Sequence, residues 1–226
     1  FDTSRYHFLS MTEYDNDRSF YQTVSQYGNL KNISYALDFD HWYWKGNKSS
    51  SALATVKQAL TSKDEIYLRS EIYKSDSNTG LSKQTQGPFL FLGYHRNWSP
   101  GNHTLLLASY MEDTTKDFYY DSQKSVYDRE NDGTILDFDY WSFYEKNKWN
   151  YSAKGIELQQ IIQRDRHTTL LGGNWMSTED KVDAQLWYYL EDPAITDQQV
   201  TMPLNRYGVY CYHDLKASEK LTLSGG

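Results

Sequence analysis

Hydrophobic and polar residues alternate with a period of two along much of the chain. The clearest run is 32–44, where Ile33, Leu37 and Phe39 alternate with Asp38 and Asp40. Successive side chains of a strand point to opposite faces of its sheet, so this pattern predicts a strand with one apolar and one polar face. Further strands are predicted at 5–14, 20–27, 52–60, 65–74, 88–98, 103–111, 151–163, 167–176, 206–215 and from 220 onward. Segment 52–60 also fits a short helix, but its neighbours favour a strand.

The segment 88–111 is predicted to form a hairpin around the turn Ser99-Pro100-Gly101-Asn102. Proline presets φ at the second turn position, and glycine supplies the positive φ of the third. Pairing of Ser99 with Asn102 then puts His95 and His103 on opposite faces. Each strand is about ten residues long, which suits a tilted membrane strand. The face predicted to meet lipid carries Leu90, Leu92, Leu105 and Leu107, and the face predicted to meet the lumen carries Gly93, His95, Asn97 and Thr104.

The connections between the predicted strands differ in length in a regular way. From about residue 61, short turns at 61–64, 99–102, 164–166 and 216–219 alternate with long polar segments at 75–87, 112–150 and 177–205. Outer-membrane barrels have short periplasmic turns and long extracellular loops, so the turn at 99–102 is expected at the periplasmic rim with Trp98 near that interface. Before residue 61, turns are predicted at 15–17, 28–29 and 45–50, and strand direction stays open.

These patterns predict an all-β fold. The expected architecture is an antiparallel transmembrane β-barrel of the large outer-membrane type, present over 1–226 as a partial barrel of about ten to twelve strands. The start at Phe1 without a methionine and the end in 221–226, where a strand is just beginning, suggest a fragment of a longer chain.

Composition agrees with this architecture and argues against some classes of binding partner. The chain has 21 Tyr and 7 Trp but only 38% hydrophobic residues, and its mean hydropathy is -0.80. A barrel tolerates such polarity because only alternate residues face lipid. The net charge of -7 argues against nucleic acid and anionic headgroups as partners. A single cysteine excludes an internal disulfide framework, and the absence of a run of about eighteen apolar residues predicts no transmembrane helix.

Two segments resemble TonB-dependent outer-membrane receptors. Residues 206–226 (RYGVYCYHDLKASEKLTLSGG) resemble a late hairpin of their barrel, and 151–175 (YSAKGIELQQIIQRDRHTTLLGGNW) resemble an earlier one. Residues 1–14 and 94–107 also fit this kind of barrel, including relatives fused to tetratricopeptide repeats. The resemblance implies a barrel of about 22 strands with a plugged lumen in a Gram-negative-type outer membrane, of which this chain supplies about half.

The resemblance also implies partners. The barrel would contact outer-membrane lipid, bind a small-molecule or oligosaccharide ligand, and reach TonB only through a plug domain that is absent from this sequence. Its TonB box and the terminal aromatic of a complete barrel are also absent. No cofactor is implied.

Candidate site residues fall into two groups. Aromatic and acidic residues of the predicted extracellular loop are candidates for ligand binding: Tyr119, Tyr120, Asp121, Tyr127 and Trp141. Polar residues expected to face the lumen are Asp38, Asp40, His95 and Asn97.

No motif indicates an enzyme or a metal site. The six histidines show neither HxH nor HExxH spacing, and no nucleophile elbow or phosphate loop occurs. The pairs Asp38/Asp40 and Asp137/Asp139 each share a strand face, which would suit a glycosidase acid pair or a cation site. A hydrated polar face is the commoner reason for such spacing.

Three functions therefore stay open. The first is import of a scarce nutrient (an iron chelate, a vitamin or an oligosaccharide) through a TonB-dependent-type barrel. The second is a polysaccharide export or passive pore barrel. The third is a soluble, secreted β-protein that binds carbohydrate.

Overall fold

The computed structural model describes residues 6–77, 82–188, 196–219 and 221–226, apart from the side chains at 120–122 and 196. Their regular structure is entirely β, in one eleven-stranded sheet. Each strand pairs antiparallel with its neighbours in the chain, in the order β1 to β11. No helix long and apolar enough to cross a membrane occurs in these ranges.

The strands are longest in the second half of the chain. They are β1 (Tyr6–Asp15), β2 (Ser19–Leu30), β3 (Ile33–Trp44), β4 (Asn47–Ala59), β5 (Asp64–Asp76), β6 (Ser82–Ser99), β7 (Asn102–Arg129), β8 (Ile135–Arg164), β9 (His167–Trp187), β10 (Thr196–Ser218) and β11 (Leu221–Gly225). The strand predicted at 52–60 is confirmed as part of β4, because its ladder with β3 and β5 is continuous.

The two ends of the sheet differ. One end, the turn end, carries the connections at 31–32, 60–63, 100–101 and 165–166. The other, the arm end, carries the connections at 16–18 and 45–46 and three longer hairpins, of which β7–β8 extends furthest with strands of 28 and 30 residues. Because antiparallel neighbours alternate in direction, this assignment fixes the directions of β1 to β4, which the sequence left open.

Several predicted loops are wrong, because the strands continue through them. The predicted loop 112–150 is reduced to 130–134, and 75–87 is largely strand up to Asp76 and from Ser82. Within 177–205, β9 runs to Trp187 and β10 begins at Thr196, while 189–195 lie outside the described residues. The hydrogen bonds between neighbouring strands use backbone N–H and C=O groups, which polar and apolar residues both carry. A polar hairpin can therefore continue the sheet as well as an apolar one.

Two predicted turns also shift. The turn predicted at 28–29 lies at 31–32, after β2 has continued to Leu30. The predicted loop 45–50 is the two-residue turn Lys45-Gly46, with φ values of 47° and 86°. Positive φ at both positions matches the right-handed twist of a tight hairpin, which allows β4 to start at Asn47.

One face of the sheet, the apolar face, carries rows of large hydrophobic side chains. Its band runs from Ile33 to Phe39 on β3, roughly 20 Å at about 3.3 Å per residue, close to the roughly 25 Å band of a membrane barrel. One cross-strand row includes eight consecutive partners: Tyr35, Val56, Leu68, Leu92, Ala108, Ile156, Trp175 and Tyr207.

The sheet has almost no core of its own. Among the described residues, only Phe143 and Ala153 are buried apolar side chains. Apolar-face residues stay open, such as Leu92 at 53% and Val209 at 92% exposure. The fold therefore leaves its main hydrophobic surface to be covered by something outside the chain.

The hairpin register corrects the predicted faces. Ser99 pairs with Asn102 as predicted, and Gly101 has φ of 75°. Asn97, however, pairs with His103, so Trp98 is an extra residue in β6, and the pairs from Asn97–His103 to Leu90–Tyr110 shift by one. A β-bulge of this kind sets two residues opposite one. Leu105 and Leu107 consequently lie with His95 rather than with Leu90 and Leu92, and Thr104 lies on the apolar face.

Candidate ligand-binding face

The face opposite the apolar face is here called the polar face, and near the turn end it carries a group of ionisable side chains. Two neighbouring cross-strand rows build this region. The first row contains Lys57, Tyr67, Gly93, Leu107, Glu157 and Asn174, and the second contains Glu65, His95, Leu105, Gln159, Gly172 and Tyr210. Most of them line a cavity of about 410 Å³.

A chain of polar contacts runs along one side of this cavity. The Lys57 Nζ atom lies 2.9 Å from Glu65 Oε2, and the same oxygen lies 3.3 Å from His95 Nδ1. His95 Nε2 then lies 3.0 Å from His103 Nδ1. The predicted separation of the two histidines onto opposite faces is therefore wrong, and the bulge at Trp98 is the reason.

A second carboxylate lies on the other side of the cavity. The Tyr210 hydroxyl donates to Glu157 Oε1 at 2.5 Å, and Gln159 Nε2 donates to the same oxygen at 2.8 Å. Tyr210 reaches Glu157 by lying across Gly172, where an added Cβ would be 2.2 Å from the tyrosine Cζ. A side chain at position 172 would therefore displace this ring.

The middle of the cavity is apolar. Leu105 and Leu107 lie on the polar face between the two carboxylates. Tyr67 packs against Gly93, where a Cβ atom added to the glycine would lie 3.4 Å from the tyrosine Cβ. An apolar floor between two hydrogen-bond acceptors suits a ligand that carries donor groups around an apolar ring or chain.

The four predicted polar residues share this face. Asp40 accepts hydrogen bonds from Tyr21 Oη at 3.0 Å and Ser51 Oγ at 3.3 Å. Asp38 lies two residues away on the same side of β3, and His95 and Asn97 lie on the same side of β6. Whether this face lines a lumen stays a prediction.

The predicted loop residues lie on strands of the β7–β8 hairpin. Tyr119 and Trp141 lie on the polar-face side, while a bulge after Tyr119 places Tyr127 on the opposite side, across from Phe138. The backbone of Tyr120 and Asp121 belongs to β7, but their side chains lie outside the described residues. Their predicted location in a loop is wrong, and their role in ligand binding stays a prediction.

Sequence reasoning missed most of the cavity. Its unanticipated polar members are Lys57, Glu65, Glu157 and Gln159. His103 and Tyr210, also unanticipated, contact residues of its lining. One available signal was the pairing of 167–176 with 206–215, which sets Gly172 opposite Tyr210. Within the described part of the chain, no group of three or more His, Cys, Asp or Glu side chains is arranged to hold a metal ion.

Comparisons with known proteins agree with the fold. No protein-family model and no curated protein matches the chain. A solved structure of a copper transporter, OprC, aligns with 98% of this chain at a TM-score of 0.69 and 11% sequence identity. The chain spans 37% of that structure's length. The predicted fold class is thereby confirmed: the chain is an all-β, antiparallel portion of a large outer-membrane-type β-barrel, with its sheet open.

Proposed function

We propose that this chain forms part of the wall of a transport barrel in a bacterial outer membrane. The observation that carries the proposal is the continuous apolar face on a sheet that has almost no core. Each large side chain left in water forgoes about 1.5–3 kcal/mol of burial. A row of eight residues from Tyr35 to Tyr207 makes this face costly in water and favourable in lipid. A soluble carbohydrate-binding protein has no use for such a face.

The transport direction we propose is inward, by a TonB-dependent-type receptor. The resemblance of 151–175 and 206–226 to that family supports this, as does the structural likeness to a copper transporter. The cargo would be a scarce nutrient: an iron chelate, a vitamin, an oligosaccharide or a metal ion. TonB would act through a plug domain, and the β7–β8 arm would meet the ligand first.

Membrane exposure of the two faces is tested by cysteine labelling. The full protein that contains this chain is placed in a Gram-negative outer membrane with Cys211→Ser, which removes its one cysteine within this chain. Leu92→Cys tests the apolar face and the adjacent Phe91→Cys, its matched control, the polar face. We expect only Phe91→Cys to react with a water-soluble maleimide in isolated membranes, and Leu92→Cys to react with a lipid-soluble one. Equal labelling of both by the water-soluble reagent, or a soluble protein, contradicts the proposal.

Uptake experiments test the direction and the energy source. Cells that produce the full protein are given labelled ferric citrate, cobalamin, maltoheptaose or copper(II). Uptake of one probe above that of empty-vector cells, abolished when TonB is deleted, supports the importer. Uptake that persists without TonB indicates a passive pore instead.

A further inference from the structure

We propose that His95 and His103 form a binding site for a divalent transition-metal ion, with copper(II) preferred. The site lies on the polar face beside the 410 Å³ cavity. Metal binding by this pair does not depend on the transport proposal, which has its own tests.

The distance between the two imidazoles fits a shared metal ion. His95 Nε2 and His103 Nδ1 are 3.0 Å apart. Two nitrogens bound at about 2.0–2.1 Å to one metal ion lie roughly 2.9–3.4 Å apart when the angle at the metal is near 90–110°. The observed distance falls within this range.

Glu65 favours the tautomer of His95 that a metal ligand needs. Its Oε2 atom lies 3.3 Å from His95 Nδ1. The carboxylate can only accept, so this contact favours the tautomer in which Nδ1–H donates a hydrogen bond to it and Nε2 carries a lone pair. A carboxylate behind a ligating imidazole is a common arrangement in metal sites. Lys57 Nζ, 2.9 Å from the same oxygen, holds the carboxylate in place. Glu65 is thus a positioning residue.

Asn97 provides a second and independent observation. It is the cross-strand partner of His103, and its Oδ1 atom is buried without a hydrogen-bond donor among the described residues. Burying an acceptor without a partner is costly. A water molecule bound to a metal is polarised by the ion and is a good donor for such an oxygen.

The bulge at Trp98 creates the site. It moves His103 to the face of His95, and Trp98 itself is fixed on the apolar side, where its Nε1 atom donates to Thr104 Oγ1 at 2.8 Å. Bulges commonly re-aim side chains next to functional sites. Two imidazole ligands suit copper, zinc and nickel, and copper(II) binds most tightly among divalent ions of this series. Water would complete the coordination, which leaves the ion exchangeable.

A second histidine pair must be removed before the test. His167 Nδ1 and His213 Nε2 lie 3.2 Å apart on the apolar face at the turn end, and Thr169 Oγ1 lies 2.9 Å from His213 Nδ1. The background variant therefore carries His167→Asn and His213→Asn. His41→Asn serves as the matched control, because His41 lies on β3 and contacts Ser50 instead.

The test is titration of the full protein in detergent with copper(II) chloride, followed by calorimetry and electron paramagnetic resonance. We expect the background variant to bind copper(II) and its electron paramagnetic resonance spectrum to show hyperfine splitting from two nitrogen ligands. His103→Asn should weaken copper binding at least tenfold and leave splitting from one nitrogen. Glu65→Gln should weaken binding roughly tenfold but keep the splitting from both nitrogens. His41→Asn should change neither the affinity nor the spectrum. If His103→Asn does not fold, judged by heat-modifiable migration on gels, His95→Gln replaces it. Unchanged affinity in the folded histidine variant, or a spectrum without nitrogen splitting, would overturn the proposal and leave the face-labelling result unaffected.

Discussion

At the scale of single residues, the contact between Tyr210 and Gly172 makes the sharpest prediction. Gly172→Ala places a methyl group 2.2 Å from the tyrosine Cζ and separates Tyr210 from Glu157. We expect the free energy of unfolding to fall by about 1–3 kcal/mol, the usual cost of overpacking. Urea unfolding of the protein in detergent, followed by tryptophan fluorescence, measures this. In a Tyr210→Ala background the same substitution should cost less than about 0.5 kcal/mol, and an equal cost in both backgrounds would contradict the contact.

The Asp64 carboxylate, next to the turn at 60–63, should make the stability of the fold depend on pH. Hydrogen bonds from Thr61 Oγ1 at 2.6 Å and Tyr94 Oη at 2.6 Å, with the Arg96 guanidinium at 3.2 Å, lower the pKa of Asp64 below its ordinary value of 3.8. A lowered pKa in the folded state means that the carboxylate stabilises the fold above the unfolded pKa. That stabilisation is lost as pH falls through the folded pKa.

The comparison of wild type with Asp64→Asn checks this sign. We expect Asp64→Asn to be less stable than wild type at pH 7, and the difference to shrink below pH 3.8 as the wild-type carboxyl protonates. Urea unfolding at a series of pH values measures the difference. Asp15→Asn in the opposite turn is the matched control, and a difference for Asp64→Asn that stays constant down to strong acid would rule out the carboxylate as its cause.

At the scale of elements, the β6–β7 hairpin shows what sequence can and cannot give. Pro100-Gly101 predicts the turn and the pairing of Ser99 with Asn102, because only the local φ values are needed. The bulge at Trp98 is not predictable from alternation, since Trp98 itself fits the pattern. One extra residue reverses the facing of the pairs from Asn97–His103 to Leu90–Tyr110. His103, Leu105 and Leu107 were therefore assigned to the wrong face, and the cavity that the two leucines line was missed.

The arms of the sheet illustrate a different limit. Turn chemistry and alternation located most strands of the apolar band, where one face must be hydrophobic. Beyond that band, β7 and β8 carry Lys and Tyr on both faces, so the hydrophobic period gives no signal. The backbone hydrogen-bond ladder nevertheless continues there. Only the cross-strand pairing seen in the structure, such as that of Lys124 with Trp141, shows that these residues belong to strands.

Disulfide formation tests the shifted register. With Cys211→Ser, the double variant Phe91→Cys/Ser109→Cys should form a disulfide under mild oxidation, because these residues are direct cross-strand partners on the polar face. Phe91→Cys/Tyr110→Cys, the pair of the unshifted register, should stay reduced, because position 110 points to the other face. Mobility on non-reducing gels after partial proteolysis measures both. Preferential cross-linking of the second pair would show that β6 has no bulge at Trp98.

At the scale of the whole molecule, the sheet has two edge strands, β1 and β11, whose outer backbone groups have no partner strand in the described chain. Unpaired backbone groups are costly in lipid, so a membrane sheet must close. If the chain is part of a barrel wall as proposed, further strands must pair with both edges.

The asymmetry between the two ends predicts how the sheet crosses the membrane. Outer-membrane barrels place long hairpins outside the cell and short turns in the periplasm. With Cys211→Ser in the full protein, Asn131→Cys at the tip of the β7–β8 arm should react with a membrane-impermeant maleimide on intact cells, because both flanking strands extend past the apolar band. Arg166→Cys, in the exposed turn 165–166, should react only after the outer membrane is permeabilised. Labelling of Arg166→Cys on intact cells with Asn131→Cys protected would reverse the orientation, and labelling of both would mean that the apolar face does not lie in a sealed membrane.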